Sequence, residues 1–271
     1  MNDADLVFAP RQAIDGGVVD APAGRPDLRF AYVKTTGSTN DLAMAALERG
    51  VAGAVAIVAD LQTAGRGRRG SAWSTPAGEA LLLSVGFRTA LSAAALPLYS
   101  PAAAVATAEA LDELARVDAA VKWPNDVFVA DRKIAGILLE SRALPPSNAV
   151  VVGIGLNLNQ SAAWFERAAL PAAVSLKAAT GREWPRARVL EALLERLFAR
   201  LAAIDAGAIA ELQGAFAARD CLIGRIVEIR DGGRSHRGAV ESIDLIEGIT
   251  VAVEGERRRF HPAHTHILKV E

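Results

Sequence analysis

At 271 residues, 51% hydrophobic and 23% charged, the chain has the composition of a globular protein, with room for one large domain and a small one. A formal net charge of −1 excludes a protein drawn to nucleic acid or membrane by its overall field, though it leaves room for a local basic site. Cys221 stands alone, which excludes a disulfide framework and a cysteine-based metal centre.

Residues 1–28 mix Gly, Pro, Asp and Ala without a period and read as a loose arm or an irregular first strand. They lack the basic-then-apolar order of a signal peptide, and no apolar run in the chain is long enough to span a bilayer, so a cytoplasmic protein is expected. Phe30 to Val33 predicts a strand. Ser38 and Asp41 predict a capping-box start to a helix over residues 42–49, stopped by Gly50. Residues 54–59 and 80–87 read as buried strands on either side of a loop rich in Gly and Arg. Ser100-Pro101 opens an Ala-rich helix to about Arg116. Residues 127–130 and 134–140 predict strands around the turn Asp131-Arg132, and 149–158 a further strand. Val189, Leu190, Leu193, Leu194, Leu197, Phe198 and Leu201 share one face of a helix, and residues 209–218 predict another. From Cys221 onward short strands alternate with turns, which predicts a small antiparallel barrel or sandwich over residues 221–271 after a larger unit over 29–220. Cys221 itself reads as a buried small hydrophobe.

The chemistry concentrates in Gln62-Thr63-Ala64-Gly65-Arg66-Gly67-Arg68-Arg69-Gly70. Its glycines allow sharp turns and close approach to a ligand. Its arginines are permanently charged planar forks suited to carboxylate and phosphate. An exposed basic turn would have the same composition. The loop is not a Walker A loop, since no Gly-Lys-Ser/Thr follows, and not a Rossmann fingerprint, since its glycines are embedded in arginines.

Four segments in order carry a resemblance: Ser38-Thr39-Asn40; Gly65 to Gly70 followed by Trp73; Lys122-Trp123-Pro124-Asn125-Asp126 with Lys133-Ile134-Ala135-Gly136; and Gly153-Ile154-Gly155-Leu156-Asn157. The sequence resembles the biotin protein ligases, strongly over about residues 30–160 and more loosely beyond. The resemblance implies an α+β fold, with a mixed-sheet catalytic domain binding biotin and ATP followed by a small antiparallel β-barrel domain. It implies attack of the biotin carboxylate on the α-phosphate of ATP, then transfer of biotin from biotinyl-5'-AMP to a lysine of a biotin carboxyl carrier protein. Such a reaction needs positioning and charge stabilisation but no enzyme nucleophile.

Under that resemblance Lys133 and Arg68 are the catalytic candidates, a cation between carboxylate and polyphosphate lowering their repulsion. By position alone Lys133 would be a surface lysine beside a hairpin turn. Ser38, Thr39, Asn40, Gln62, Gly65, Arg66, Gly67, Arg68, Lys133, Gly136 and Gly153 are the expected biotin contacts. Arg68, Arg69, Trp73, Asn125, Lys133 and Asn157 are the expected nucleotide contacts, with Asn157 toward magnesium. Ser38 could equally be a plain helix cap, and Asp126 a local backbone partner. His261, His264 and His266 read as a surface strand rather than a metal cluster, and Arg257-Arg258-Arg259 as a solvated one.

Ser71 replaces an arginine that many members carry. Fewer than 30 residues precede the first strand, too few for the winged helix of bifunctional members, so a monofunctional enzyme without DNA binding is expected. A homodimer is left open. A lipoate or octanoate ligase or transferase, a non-catalytic biotin- or nucleotide-binding protein, and a nucleic-acid-binding protein are the competing readings.

Overall fold

The computed structural model describes residues 6–262 and 264–271. Residues Arg11–Ile14 (β1) and Gly17–Asp20 (β2) form an antiparallel hairpin. Asp15 and Gly16 take positive φ of 50° and 79° between them, the turn that matches the twist of two strands. This corrects the expectation of a loose arm: Ile14 and Val19 are buried in the main core. The Asp15-Gly16 pair beside Ile14 and Val19 was the signal for it.

Next come β3 (Arg29–Thr36), α1 (Thr39–Glu48), β4 (Val55–Gln62), β5 (Ala80–Thr89), α2 (Tyr99–Ala115), β6 (Ala120–Lys122), β7 (Asp126–Val129), β8 (Arg132–Leu144) and β9 (Ser147–Asn157). Their strands form one seven-stranded sheet in the order β3-β4-β5-β9-β8-β7-β6. The β3–β4 pair, joined through α1, is parallel and every other pair is antiparallel, which makes the sheet mixed. The helices α3 (Ala162–Arg167), α4 (Leu176–Thr180), α5 (Arg186–Asp205) and α6 (Ile209–Ala217) follow.

Alternation along β9 decides which face does what. Val150, Val152, Ile154 and Leu156 point into the larger core with Ala102, Val105 and Ala106 of α2 and Leu193, Leu194 and Leu197 of α5. The alanines of α2 let it lie close to the sheet, and the apolar face expected in α5 is the buried one. Ala149 and Val151 point the other way, under Leu42, Ala43 and Leu47 of α1. On that face the next two positions of β9 are glycines, Gly153 against Asn40 in the first turn of α1 and Gly155 against Trp73.

The remaining strands, β10 (Ile226–Asp231), β11 (Arg234–Asp244), β12 (Gly248–Val253), β13 (Glu256–Phe260) and β14 (Thr265–Val270), form an antiparallel sheet in the order β13-β12-β11-β10-β14. Among the described residues no ladder joins β13 to β14, so this sheet is open where a barrel was expected. It keeps the apolar interior of a small β unit by packing Val227, Ile229, Val240 and Ile249 into a core continuous with the larger one. Among the described residues, no helix is long and apolar enough to cross a membrane.

Both margins of the large sheet are engaged by the chain itself. Ala9 and Phe30 exchange backbone hydrogen bonds of 3.0 and 2.7 Å at the β3 edge. At the β6 edge the Val121 N–H donates to the Arg219 carbonyl at 2.7 Å, and the Cys221 N–H donates to the Val121 carbonyl at 3.2 Å. Cys221 is half-buried there rather than fully buried as expected, and burial pushes its thiol up to about 11, which disfavours the thiolate.

The hairpin is tied down through Arg186, which is 2% exposed at the start of α5. It donates to Asp15 at 2.7 Å and pairs with Asp60 of β4 at 2.6 Å. Arg186→Ala should destabilise the protein by about 3 kcal/mol, because two carboxylates lose their counter-ion. Hydrogen bonds from Arg186 hold the Asp15 carboxyl below its usual range. That contribution is fully present above the ordinary value near pH 4, and fades as pH falls through the lowered one. Urea unfolding of both proteins at pH 7 and pH 3 checks this; a loss below about 1 kcal/mol at pH 7 would count against it.

Candidate active site

A cavity of about 620 Å³ opens on the α1 face of the large sheet, where that helix stops covering it. Of the expected site residues, Ser38, Thr39, Asn40, Gln62, Arg66, Gly67, Arg68, Arg69, Trp73, Asn125, Lys133, Gly136, Gly153 and Asn157 all line it. Gly65 does not. It sits at the base of the loop, accepting a hydrogen bond from the Trp73 N–H at 3.0 Å, and a Cβ there would come within 2.5 Å of the Trp73 carbonyl.

The floor is made by strands without side chains. Gly155 pairs with Gly136 of β8, while Gly153 pairs with Leu138 of β8 and Ser84 of β5. A Cβ on Gly153 would lie 2.2 Å from Asn40 Oδ1, and one on Gly155 2.5 Å from the Trp73 ring. The two glycines thus admit an amide and an indole against the sheet itself.

One end of the cavity is a buried polar cluster. Ser38 is the residue before α1, but its side chain makes no capping bond, so the capping-box expectation fails. Thr39 donates from its N–H and its hydroxyl to Gln62 Oε1 at 2.8 and 3.0 Å. Ser84 Oγ lies 2.7 Å from Thr39 Oγ1 and 2.5 Å from Asn40 Oδ1. Asn40, 4% exposed, donates to Glu140 at 2.6 Å. These oriented amides and hydroxyls suit a small polar ring.

The other end is cationic. Arg68 donates to Asn125 Oδ1 at 3.2 Å and to the Pro262 carbonyl at 2.6 Å, joining the loop to the C-terminal sheet. Lys133 Nζ lies 2.6 Å from Asp126 Oδ1 and 5.8 Å from the centre of the Trp73 ring. Asp126 is therefore the lysine's partner rather than a turn-forming residue. Burial lowers the proton affinity of Arg68 and, beside it, of Lys122. Burial, then the charges of Arg69, Arg68, Arg230 and Lys122, pulls the His266 imidazolium down. Trp73 Nε1 is buried with no hydrogen-bond partner among the described residues.

The loop between the two ends is a small closed hairpin. Arg66 bridges to Ala72, the Gly67 N–H donates to the Ser71 carbonyl at 2.6 Å, and Ser71 Oγ donates to the Arg68 carbonyl at 3.0 Å. Arg66 is turned away from the cationic end, onto Asp41 and Glu140. Asn157, 5% exposed, accepts from Gln160 at 3.0 Å. Among the described residues no three His, Cys, Asp or Glu side chains are grouped to hold a metal ion. Sequence reasoning missed Asp41 and Glu140 as partners of the loop, and missed Lys122 and His266 as wall residues. His266 belongs to β14, whose neighbour Thr265 also lines the cavity.

Residues 32–157 match the sequence model of the biotin/lipoate A/B protein ligase family. The bifunctional ligase/repressor BirA of Bacillus subtilis is 35% identical over 139 residues, 51% of this chain and 43% of that one, so the chain spans less than half of that relative. A biotin–[acetyl-CoA-carboxylase] ligase of Mycobacterium tuberculosis is 36% identical over 252 residues, covering 90% of this chain and 91% of its own. Among solved structures, the biotin protein ligase from Aquifex aeolicus in complex with biotin and ATP superposes with a TM-score of 0.72 at 26% identity, over 88% of this chain and 97% of that one. With its glycine floor, its arginine loop and a match that runs nearly end to end in the mycobacterial relative, the chain belongs to the biotin/lipoate A/B protein ligase family, on the side of its biotin ligases.

Proposed function

We propose that the protein is an ATP-dependent biotin–protein ligase that forms biotinyl-5'-AMP and passes biotin to a lysine of a biotin carboxyl carrier protein. The observation that carries this is one cavity with two chemically opposed ends. Neutral amides and hydroxyls stand at one end, suited to a ureido ring, and Arg68 and Lys133 at the other, suited to a carboxylate meeting a phosphate. Residues 29–220 supply most of the catalytic unit, with 221–271 closing its rim through Pro262 and His266. The lipoate reading has less support, since a dithiolane ring offers nothing to Thr39, Asn40 and Gln62.

In this reading the biotin carboxylate attacks the α-phosphorus and pyrophosphate leaves. Lys133 and Arg68 stabilise charge where the two anions meet, in a half-buried setting that strengthens their field. Asp126 holds the lysine in place. The Trp73 ring, lying on Gly155, is a face for adenine. Asn125 orients Arg68, and Arg69 lies at the phosphate side. The carrier lysine then attacks the mixed anhydride and AMP leaves.

Magnesium would come with the nucleotide, held mainly by phosphate oxygens and few protein groups; Asn157 Oδ1, which accepts from Gln160, could face it as one oxygen, and Asp126 is the carboxylate on the cavity wall. Every site residue named here lies in one chain, and a homodimer stays open. The cytoplasm, where biotin carboxyl carrier protein and ATP meet, is the setting we infer.

Pyrophosphate release from ATP should occur with biotin and not with lipoate, and an added carrier domain should gain one biotinyl group by mass spectrometry. Release with lipoate alone would transfer the protein to the sister activity, and release with neither would leave a binding protein. Lys133→Ala should fold normally and lose at least about 100-fold in pyrophosphate release, the usual effect of removing a charge-stabilising group; near-normal turnover would remove it from the mechanism. Arg68→Gly should release the adenylate about tenfold faster or more, as loss of a charge-assisted contact does. An unchanged release rate, read by following labelled adenylate, would sink that assignment.

A further inference from the structure

Arg66 opens the glycine–arginine loop, yet its guanidinium does not face the anions expected in the cavity. Its Nη1 and Nη2 donate to the two Asp41 oxygens of α1 at 3.0 and 2.6 Å. Its Nη2 also meets both Glu140 oxygens of β8 at 3.0 Å, and its Nε reaches Glu140 Oε1 at 3.4 Å. All three nitrogens are engaged, and two carboxylates against one cation leave the group net negative. Such an arginine offers little to a biotin carboxylate. It is a fastening.

Glu140 does a second thing. The same Oε2 that receives Arg66 accepts from Asn40 Nδ2 at 2.6 Å, and Asn40 Oδ1 faces Ser84 across Gly153. Because Arg66 bridges to Ala72, fixing it fixes both legs of the hairpin that carries Arg68 and leads to Trp73. We propose that Asp41 and Glu140 are positioning residues that clamp Arg66, and that Glu140, by also holding Asn40, makes the ring-binding end of the cavity and the loop a single hydrogen-bonded unit. The coupling rests on the biotin-ligase reading, whereas the clamp does not.

The two halves give separate readouts. Loop anchoring is read in the ligand-free protein by the rate of trypsin cleavage after Arg68 or Arg69. Coupling is read by the KM for biotin against kcat. Glu140→Gln keeps the shape and removes the charge. It should speed cleavage about tenfold, as loss of charge-assisted hydrogen bonds at a half-exposed site implies. It should raise the biotin KM several-fold more than it lowers kcat, and Glu140→Asp should give intermediate values for both. A loss of folded protein would lower kcat per mole and leave the KM alone.

Asp41 has a side chain 60% exposed, so Asp41→Asn gives a variant that folds, and it should speed cleavage by a smaller factor. Wild-type cleavage rates in both variants would overturn the clamp. Faster cleavage with an unchanged biotin KM in Glu140→Gln would overturn the coupling. If the unsubstituted protein shows no biotin binding by calorimetry, the biotin-ligase reading fails, and with it the coupling; the trypsin rates still decide the clamp.

Discussion

The site depends on how closely matter can approach one face of a β-sheet. Strands β8 and β9 carry Gly136, Gly153 and Gly155 side by side where their neighbours on that face are Ala149 and Val151, buried under α1. Removing three side chains from the middle of a sheet gives up packing and adds backbone freedom in the unfolded chain. What it yields is a trough about one side chain deep, floored by rigid backbone. Asn40 and Trp73 occupy that trough from opposite sides, and the helix that would otherwise fill it stops at Thr39. Ladders on both sides hold the floor, so the groups resting on it inherit its rigidity.

Charge is distributed on the same plan. A chain with a net charge of −1 concentrates Arg68, Arg69, Lys122 and Lys133 around one end of one cavity. Burial is the main reason that the proton affinities of Lys122 and His266 fall, and at His266 the charges of Arg69, Arg68, Arg230 and Lys122 add to it. Some of the crowded charge is met locally by Asp126 beside Lys133. In the proposed function the remainder would be offset by a bound polyanion, and a field arranged in advance is what a reaction between two anions requires. The polar end has no such surplus of charge, and Thr39, Asn40, Gln62 and Ser84 hold one another in place through hydrogen bonds.

Much of this was legible in the sequence, because the residues that matter occur in short runs with spacings that fix their faces. The loop from Gly65 to Gly70, the strand from Gly153 to Asn157 and the turn before Lys133 all stand where their patterns predict. What escaped was of two kinds. Asp15-Gly16 is a strong turn signal, but its flanking strands are four residues each, too short for alternation to mark them. Asp41, Glu140 and His266 act through partners 25, 74 and more residues away, and nothing in a local pattern reports a contact of that range. Ser38 is the opposite case: its local rule, helix capping, is not used, and the residue lines the cavity where the resemblance put it. The open C-terminal sheet has the alternation of a closed one, and closure is set by strand twist and loop length that alternation does not encode.

The engagement of both margins of the large sheet has a bearing on how the molecule behaves in a crowded solution. Unpaired N–H and C=O groups along an outer strand are templates for joining a second chain, and natural sheets cover or shorten them. Here a residue preceding the N-terminal hairpin takes up part of one margin and the linker after α6 takes up part of the other. With part of each margin occupied in this way, fewer unpaired backbone groups remain there as templates for a second chain.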